Sequence, residues 1–169
     1  MNRRRKHPVL HVPPSSLDIA AEVVAALGVV FTILAVVYYW RVLPDRIPTH
    51  FDMTGSPDAW GPKSTLLILP AVTAFMYVLL AVACRFPHTF NYPVQITPEN
   101  AQRQYRIALL VTRWFKVEMI GMFAYIEWGW IQVALGRAES LCAAWVMPAF
   151  VVVMIAMAGL MIVLSYRAR

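Results

Sequence analysis

The side chains best suited to chemistry in this 169-residue chain lie in one polar loop between two apolar segments. His50, Asp52 and Asp58 combine an imidazole with two carboxylates, which are common metal ligands and proton carriers. If the backbone is extended around Phe51, His50 and Asp52 point to the same side of it, and a following turn can bring Asp58 near them. The three side chains are therefore candidates for a metal site or an acid–base pair.

The same residue types are typical of a structured turn. Asp side chains accept hydrogen bonds from nearby backbone N–H groups, and Gly55 and Gly61 can adopt the positive φ angles that tight reversals need. We expect Lys63 to pair with a carboxylate, and Phe51 and Trp60 to dock the loop on the helix ends. This structural role is the one we favour. We assign no catalytic residue and expect no cofactor.

Eleven loop residues match the pattern L-P-x-x-I-P-x-H-F-x-x-x-G-x-P-D-x-W-x-x-K. The pattern resembles the signature of the "domain of unknown function 1648" family, a domain also found at the front of SdpI-type membrane immunity proteins. The resemblance covers roughly residues 20–85 and implies a membrane domain linked to self-protection against a secreted peptide and to membrane signalling. The matching residues are Leu43, Pro44, Ile47, Pro48, His50, Phe51, Gly55, Pro57, Asp58, Trp60 and Lys63.

The composition is that of an integral membrane protein. The chain is 60% hydrophobic and 14% charged, whereas soluble proteins average about 25% charged residues. Its net charge of +6 is explained by the Lys and Arg that flank membrane spans, so we expect no nucleic-acid partner. Cys84 and Cys142 show no metal-binding or disulfide spacing.

The apolar runs predict an all-α integral membrane fold, a four-helix transmembrane bundle with an ordered extracytoplasmic loop between helices one and two. Each run is long enough to cross the hydrocarbon layer. A basic tail precedes a single membrane domain over 17–169. We expect the tail at 1–16, helices at 17–40, 64–84, 99–135 and 141–166, the motif loop at 41–63, a cytoplasmic loop at 85–98 and an outer turn at 136–140.

The third helix differs from the others because its first half is basic. We expect this half to lie in the membrane interface with its cationic side chains reaching toward water. Its second half then crosses the bilayer. The basic residues are Arg103, Arg106, Arg113 and Lys116.

Two carboxyl groups follow on the third helix. Glu118 is close to Lys116 and Arg113, so we expect it to be solvated at the interface. Glu127 lies halfway along the span on the opposite helix face, because nine residues correspond to about two and a half turns. A charge at this depth is costly, so Glu127 is a neutral acid facing lipid, a residue buried against a partner subunit, or a functional carboxyl. The Glu118 face carries small residues and predicts close helix packing.

The distribution of Lys and Arg predicts the orientation in the membrane. Eleven of these residues fall on the side of the termini and four on the side of the motif loop, as counted along the sequence. The excess of positive charge marks the cytoplasmic side. We therefore expect a multi-pass protein of the cytoplasmic (inner) membrane with both termini inside and the motif loop outside.

Three functions remain open. The first is a small bacterial binding or accessory protein, a sensor or immunity component, whose outer loop recognises a membrane or extracytoplasmic protein or peptide. The second is a membrane enzyme with a metal or acid–base site at His50, Asp52 and Asp58. The third is a proton-coupled transporter element that uses Glu127 with Glu118. The bilayer is the expected environment in each case, and an oligomer is compatible with all three.

Overall fold

The computed structural model describes residues 7–141 and 143–169. The basic residues at 3–6 and Cys142, both noted above, lie outside the described residues. The structure is mostly helical and contains one small sheet. Its elements are α1 (Ser16–Tyr39), β1 (Arg46–Phe51), β2 (Pro57–Pro62), a 3-10 turn (Lys63–Leu67), α2 (Ile68–Ala83), a second 3-10 turn (Pro87–Thr89), α3 (Ala101–Ala134) and α4 (Ala143–Arg167).

Among the described residues, three helical segments are long and apolar enough to cross a membrane, which indicates a membrane protein. They are Ser16–Tyr39, Lys63–Ala83 and Val146–Arg167. The remaining helix, α3, has 34 residues and is continuous. At the helical rise it is about 50 Å long, which exceeds the thickness of the hydrocarbon layer. That α3 also crosses the bilayer, giving four spans, remains a prediction.

The first helix begins at a capping box. The Ser15 hydroxyl accepts a hydrogen bond from the Asp18 backbone N–H at 3.3 Å, and the Asp18 carboxylate accepts one from the Ser15 N–H at 2.7 Å. This reciprocal pair satisfies N–H groups that the first helical turn leaves without partners. The entry of the chain into α1 is thereby fixed.

The core lies mainly between α1 and α3, which run in the same direction. One apolar cluster joins Ala25 of α1 to Met119 and Ile120 of α3. A methyl group on Gly28 would lie 2.6 Å from the Cγ2 of Ile120, so the two helices approach closely there. A second cluster, nearer the loop, consists of Ala35, Val36, Leu43, Ile47, Leu66, Ile131 and Ala134.

The described ends of the chain meet at the end of the bundle opposite the loop. The Tyr105 hydroxyl donates to the Pro8 carbonyl at 2.8 Å, and the Gln104 amide donates to the carbonyls of Ser165 and Ala168 at 2.9 and 3.1 Å. Both terminal segments therefore pack on the start of α3. Which side of the membrane they occupy remains a prediction.

The motif loop folds as an antiparallel β-hairpin, a feature that the all-α prediction lacked. Ile47 pairs with Gly61 and Pro48 with Trp60, and irregularities follow between Pro48 and Phe51. Residues that precede proline favour extended backbone, which suits both strands. Gly61 does not adopt the positive φ expected of it: among the described residues only Gly55 and Gly136 do.

Candidate functional site

One face of the hairpin is docked on the helical bundle. Ile47 is fully buried in the second apolar cluster, and Pro48 is also buried. The indole N–H of Trp130 on α3 donates a hydrogen bond to the Pro48 carbonyl at 2.5 Å. The ring of Phe51 meets the same indole edge to face, with centroids 6.3 Å apart. Phe51 is thus a docking residue, as expected.

The turn of the hairpin is anchored to the connection between α3 and α4. The Leu141 N–H donates to the Gly55 carbonyl at 2.8 Å. Gly55 has a φ of +84°, and a Cβ at this position would lie 2.1 Å from the Leu141 carbonyl oxygen. Only glycine satisfies both the backbone angle and the close approach. The glycine of the motif is therefore explained by docking.

The opposite face of the hairpin is exposed and carries the polar motif residues. His50 Nδ1 lies 2.6 Å from an Asp58 carboxylate oxygen, and their side chains are 69% and 48% exposed. Trp60 is 54% exposed and Met53 is completely exposed at the turn. The expectation that Trp60 docks the loop was therefore wrong, because the strand turns its side chain outward.

Asp52 lies apart from the His50–Asp58 pair. Its carboxylate accepts hydrogen bonds from the Thr54 hydroxyl at 2.6 Å, the Thr54 N–H at 2.8 Å and the Ser56 N–H at 2.9 Å. The structure therefore brings together two of the three candidate metal ligands, whereas a zinc site normally uses three or four. Within the described residues, no group of three or more His, Cys, Asp or Glu side chains is placed to hold a metal ion.

The Asp52 turn should respond to pH. The hydrogen bond from the Thr54 hydroxyl, followed by that from the Ser56 N–H, lowers the pKa of Asp52 below its usual value. A lowered folded-state pKa means that the turn is stabilised above the unfolded pKa and loses that stabilisation as the pH falls through the folded pKa. We expect the protection of the amides at 52–56 from exchange, measured relative to the intrinsic exchange rate at each pH, to decrease in acid. Asp52→Asn should remove this dependence, whereas Asp45→Asn should retain it.

The remaining motif residues support the hairpin from its base. Lys63 Nζ lies 3.1 Å from the Asp45 carboxylate and 5.5 Å from the centre of the Trp40 ring. Lys63 therefore pairs with a carboxylate, as the sequence suggested. Among the rest, Leu43 is buried, Pro57 is half-buried and Pro44 is exposed.

At the other end of the bundle, two cations of α3 are bound to two carboxylates of α1. Lys116 is fully buried, and its ammonium lies 2.5 Å from Glu22 and 4.7 Å from the centre of the Tyr77 ring of α2. Arg113 is 14% exposed and lies 2.6 Å from Asp18. The expectation that Arg113 and Lys116 reach toward interfacial water was therefore wrong.

The predictions above do not include these ion pairs, because they treat the charges of each helix by themselves. Asp18 and Glu22 are four residues apart on α1, and Arg113 and Lys116 are three apart on α3. Both spacings place the two charges on one face of a helix. Matching pairs of opposite sign near the same end of two spans are the signal that predicts such a contact. Arg103 and Arg106, nearer the start of α3, are exposed.

Glu127 is completely enclosed by the chain itself. Its side chain is 0% exposed, and neither carboxylate oxygen has a hydrogen-bond partner among the described residues. The neighbouring Trp128 contacts Phe31 and Tyr39 of α1. Within this single chain the carboxyl group therefore faces other helices and not the surface. Which of the three alternatives for Glu127 applies remains a prediction.

Glu118 is not solvated, contrary to expectation. Both of its carboxylate oxygens are shielded from solvent and have no hydrogen-bond partner among the described residues. The small residues on this face do not produce close packing throughout the described part of the chain. A methyl group on Gly121 would meet no described residue within 4 Å, whereas one on Gly129 would meet Leu141. The helix face around Glu118 is therefore partly open.

Comparison with known proteins gives matches that include the hairpin region. A protein of Archaeoglobus fulgidus, itself uncharacterised, is 27% identical over an alignment of 118 positions, which covers 63% of this chain and 64% of that protein. The match thus spans just under two thirds of the relative. No solved structure matches the chain. Residues 27–74, which form the end of α1, the hairpin and the start of α2, match the family model "Domain of unknown function (DUF1648)".

Proposed function

We propose that this membrane protein binds a protein or peptide partner through the exposed face of its hairpin. The observation that carries the proposal is the division of the motif between two faces. Ile47, Pro48 and Gly55 hold the hairpin on the bundle, while His50 and Trp60 project away from it. If the motif served only to hold the loop on the helices, it would not need the exposed residues His50 and Trp60.

The exposed face has the composition of a recognition surface. Exposed aromatic side chains and methionines are enriched in protein interfaces, and here Trp60 and Met53 flank the polar His50–Asp58 pair. The docked face keeps the strands ordered before a partner arrives, which lowers the entropic cost of binding. The role of the chain is then that of a small accessory, sensor or immunity-type component with the hairpin on the extracytoplasmic side.

Site-specific crosslinking tests this proposal. A photoreactive side chain at Met53, the most exposed position of the turn, should give a crosslinked product of one discrete mass in native membranes. The same probe at Glu139, exposed in the nearby connection between α3 and α4, provides the control position. Trp60→Ala should remove the product without changing the fold, because exposed side chains contribute little to stability.

Two results would contradict partner binding by the hairpin. One is equal crosslinking from Met53 and Glu139, which would indicate random collisions. The other is an unchanged product in a triple variant that lacks the side chains of His50, Asp58 and Trp60. In either case the exposed motif residues would have no role in recognition.

A second candidate function is proton coupling through Glu127. The observation that favours it is the complete burial of this carboxyl without a hydrogen-bond partner among the described residues. Ionisable residues at membrane depth usually serve transport or proton transfer because they are otherwise costly. Glu127 is three residues from Trp130, whose indole holds the hairpin, so a change at Glu127 could reach the recognition surface.

A further inference from the structure

A groove of about 520 Å³ lies between α3 and α4, on a part of the molecule that the proposed function does not use. Its volume is within the range of small-molecule sites. The walls are apolar, with Met122 contributed by α3 and Val146, Phe150 and Val153 by α4. Among the described residues that line it, Glu118 is the only charged one.

Glu118 lines this groove without a counterion, and its carboxylate oxygens lie just beneath the surface of the wall. Its two oxygens have no hydrogen-bond partner among the described residues. The nearest cations on α3 are already engaged, since Lys116 binds Glu22 and Arg113 binds Asp18 of α1. The α4 residues of the groove carry no charge. In apolar surroundings, a cation that comes close to a carboxylate stabilises its charged form.

The groove is open beside this carboxylate. Among the described residues, none lies within 4 Å of where a Cβ on Gly121 would be, one turn from Glu118. Tyr125 and Phe150 also line the groove, and the faces of aromatic rings attract cations. Because α4 is a candidate membrane span, an apolar ligand can reach the groove from the hydrocarbon layer.

We propose that the groove between α3 and α4 binds a lipophilic cation, with its charge at Glu118 and its apolar groups against Met122, Phe150 and Val153. A neutral apolar molecule would leave the carboxylate uncompensated, and an anion would be repelled by it. A second copy of the chain would have to bring a cation of its own into the apolar walls. A lipophilic cation neutralises the charge of Glu118 and also covers the apolar walls of the groove.

The test is binding of tetraphenylphosphonium to the full chain in nanodiscs of zwitterionic phosphatidylcholine, measured by equilibrium dialysis. We expect one saturable site. Glu118→Gln keeps the volume but removes the charge, and it should weaken binding roughly ten- to hundredfold. Gly121→Leu should block the groove. Gly159→Leu, also in open space but outside the groove, should bind as the wild type does.

Three results would overturn the proposal. The first is equal affinity of the wild type and Glu118→Gln. The second is saturable binding of uncharged tetraphenylmethane with the same affinity, which would indicate simple partition into an apolar space. The third is a dimer that dissociates in Gly121→Leu while the cation binds neither form, since a second copy would then occupy the groove. If Gly121→Leu fails to fold, the isosteric Glu118→Gln decides alone.

Discussion

Replacing Glu22 with leucine should destabilise the helical bundle by about 3 kcal/mol, because it leaves the ammonium of Lys116 buried without a counterion. Lys116 is 0% exposed, whereas Glu22 is 40% exposed, so the two partners are not equivalent. The Lys116→Met variant should lose less, since Glu22 keeps access to water. Reversible unfolding in mixed micelles, followed by circular dichroism, measures both free energies.

The double variant that combines Glu22→Leu with Lys116→Met provides the control for this prediction. Removing both charges eliminates the uncompensated ammonium, so the two apolar side chains together should restore most of the lost stability. A double variant that simply adds the two single losses would show that the residues do not interact. Asp18→Asn offers a milder comparison at the neighbouring pair, because the amide can still accept a hydrogen bond from Arg113.

Replacing Glu127 with methionine should stabilise the bundle by about 1–3 kcal/mol, the reverse of what most core substitutions do. Both carboxylate oxygens are buried without a hydrogen-bond partner among the described residues, so their removal recovers a desolvation cost while methionine keeps the volume. Glu127→Lys should instead be strongly destabilising, since a cation in the same position meets no carboxylate. The measurement is the same unfolding experiment.

Glu127→Gln separates stability from function in this series. Glutamine retains the shape of the neutral acid but cannot release a proton. If Glu127 couples proton movement to activity, this variant folds normally and loses the coupled response in reconstituted vesicles. A destabilised Glu127→Met variant would contradict the view of Glu127 as an unpartnered group, and it would indicate a hydrogen bond formed in the membrane.

Much of the helical framework could be predicted from the sequence because the bilayer imposes a minimum length on each apolar run. The docked part of the motif follows from local rules, as at Gly55, where a positive φ is needed. The outward position of Trp60 could not be predicted, because strand register decides the face and a shift by one residue reverses it.

The sequence predicts less well which helix faces pack against each other. Helical periodicity correctly separates Glu118 and Glu127 onto different faces of α3, but it does not tell which face meets α1. The small residues around Gly121 suggested that their face would be the packed one. In the structure α1 instead packs on the face that carries Glu127 and Ile131, and the Gly121 side is left open toward α4. The contacts between α1 and α3 join residues nearly 100 positions apart, so they depend on tertiary packing and do not follow from local sequence patterns.

The attachment of the hairpin has a consequence for any fragment of this chain. The segment that matches the family model ends at residue 74, yet the hairpin it contains is held by Trp130 and Leu141. In this chain the matched segment is therefore smaller than the unit that folds. A fragment that ends at residue 74 would lack both anchors, and we expect its hairpin to lose its fixed position on the bundle.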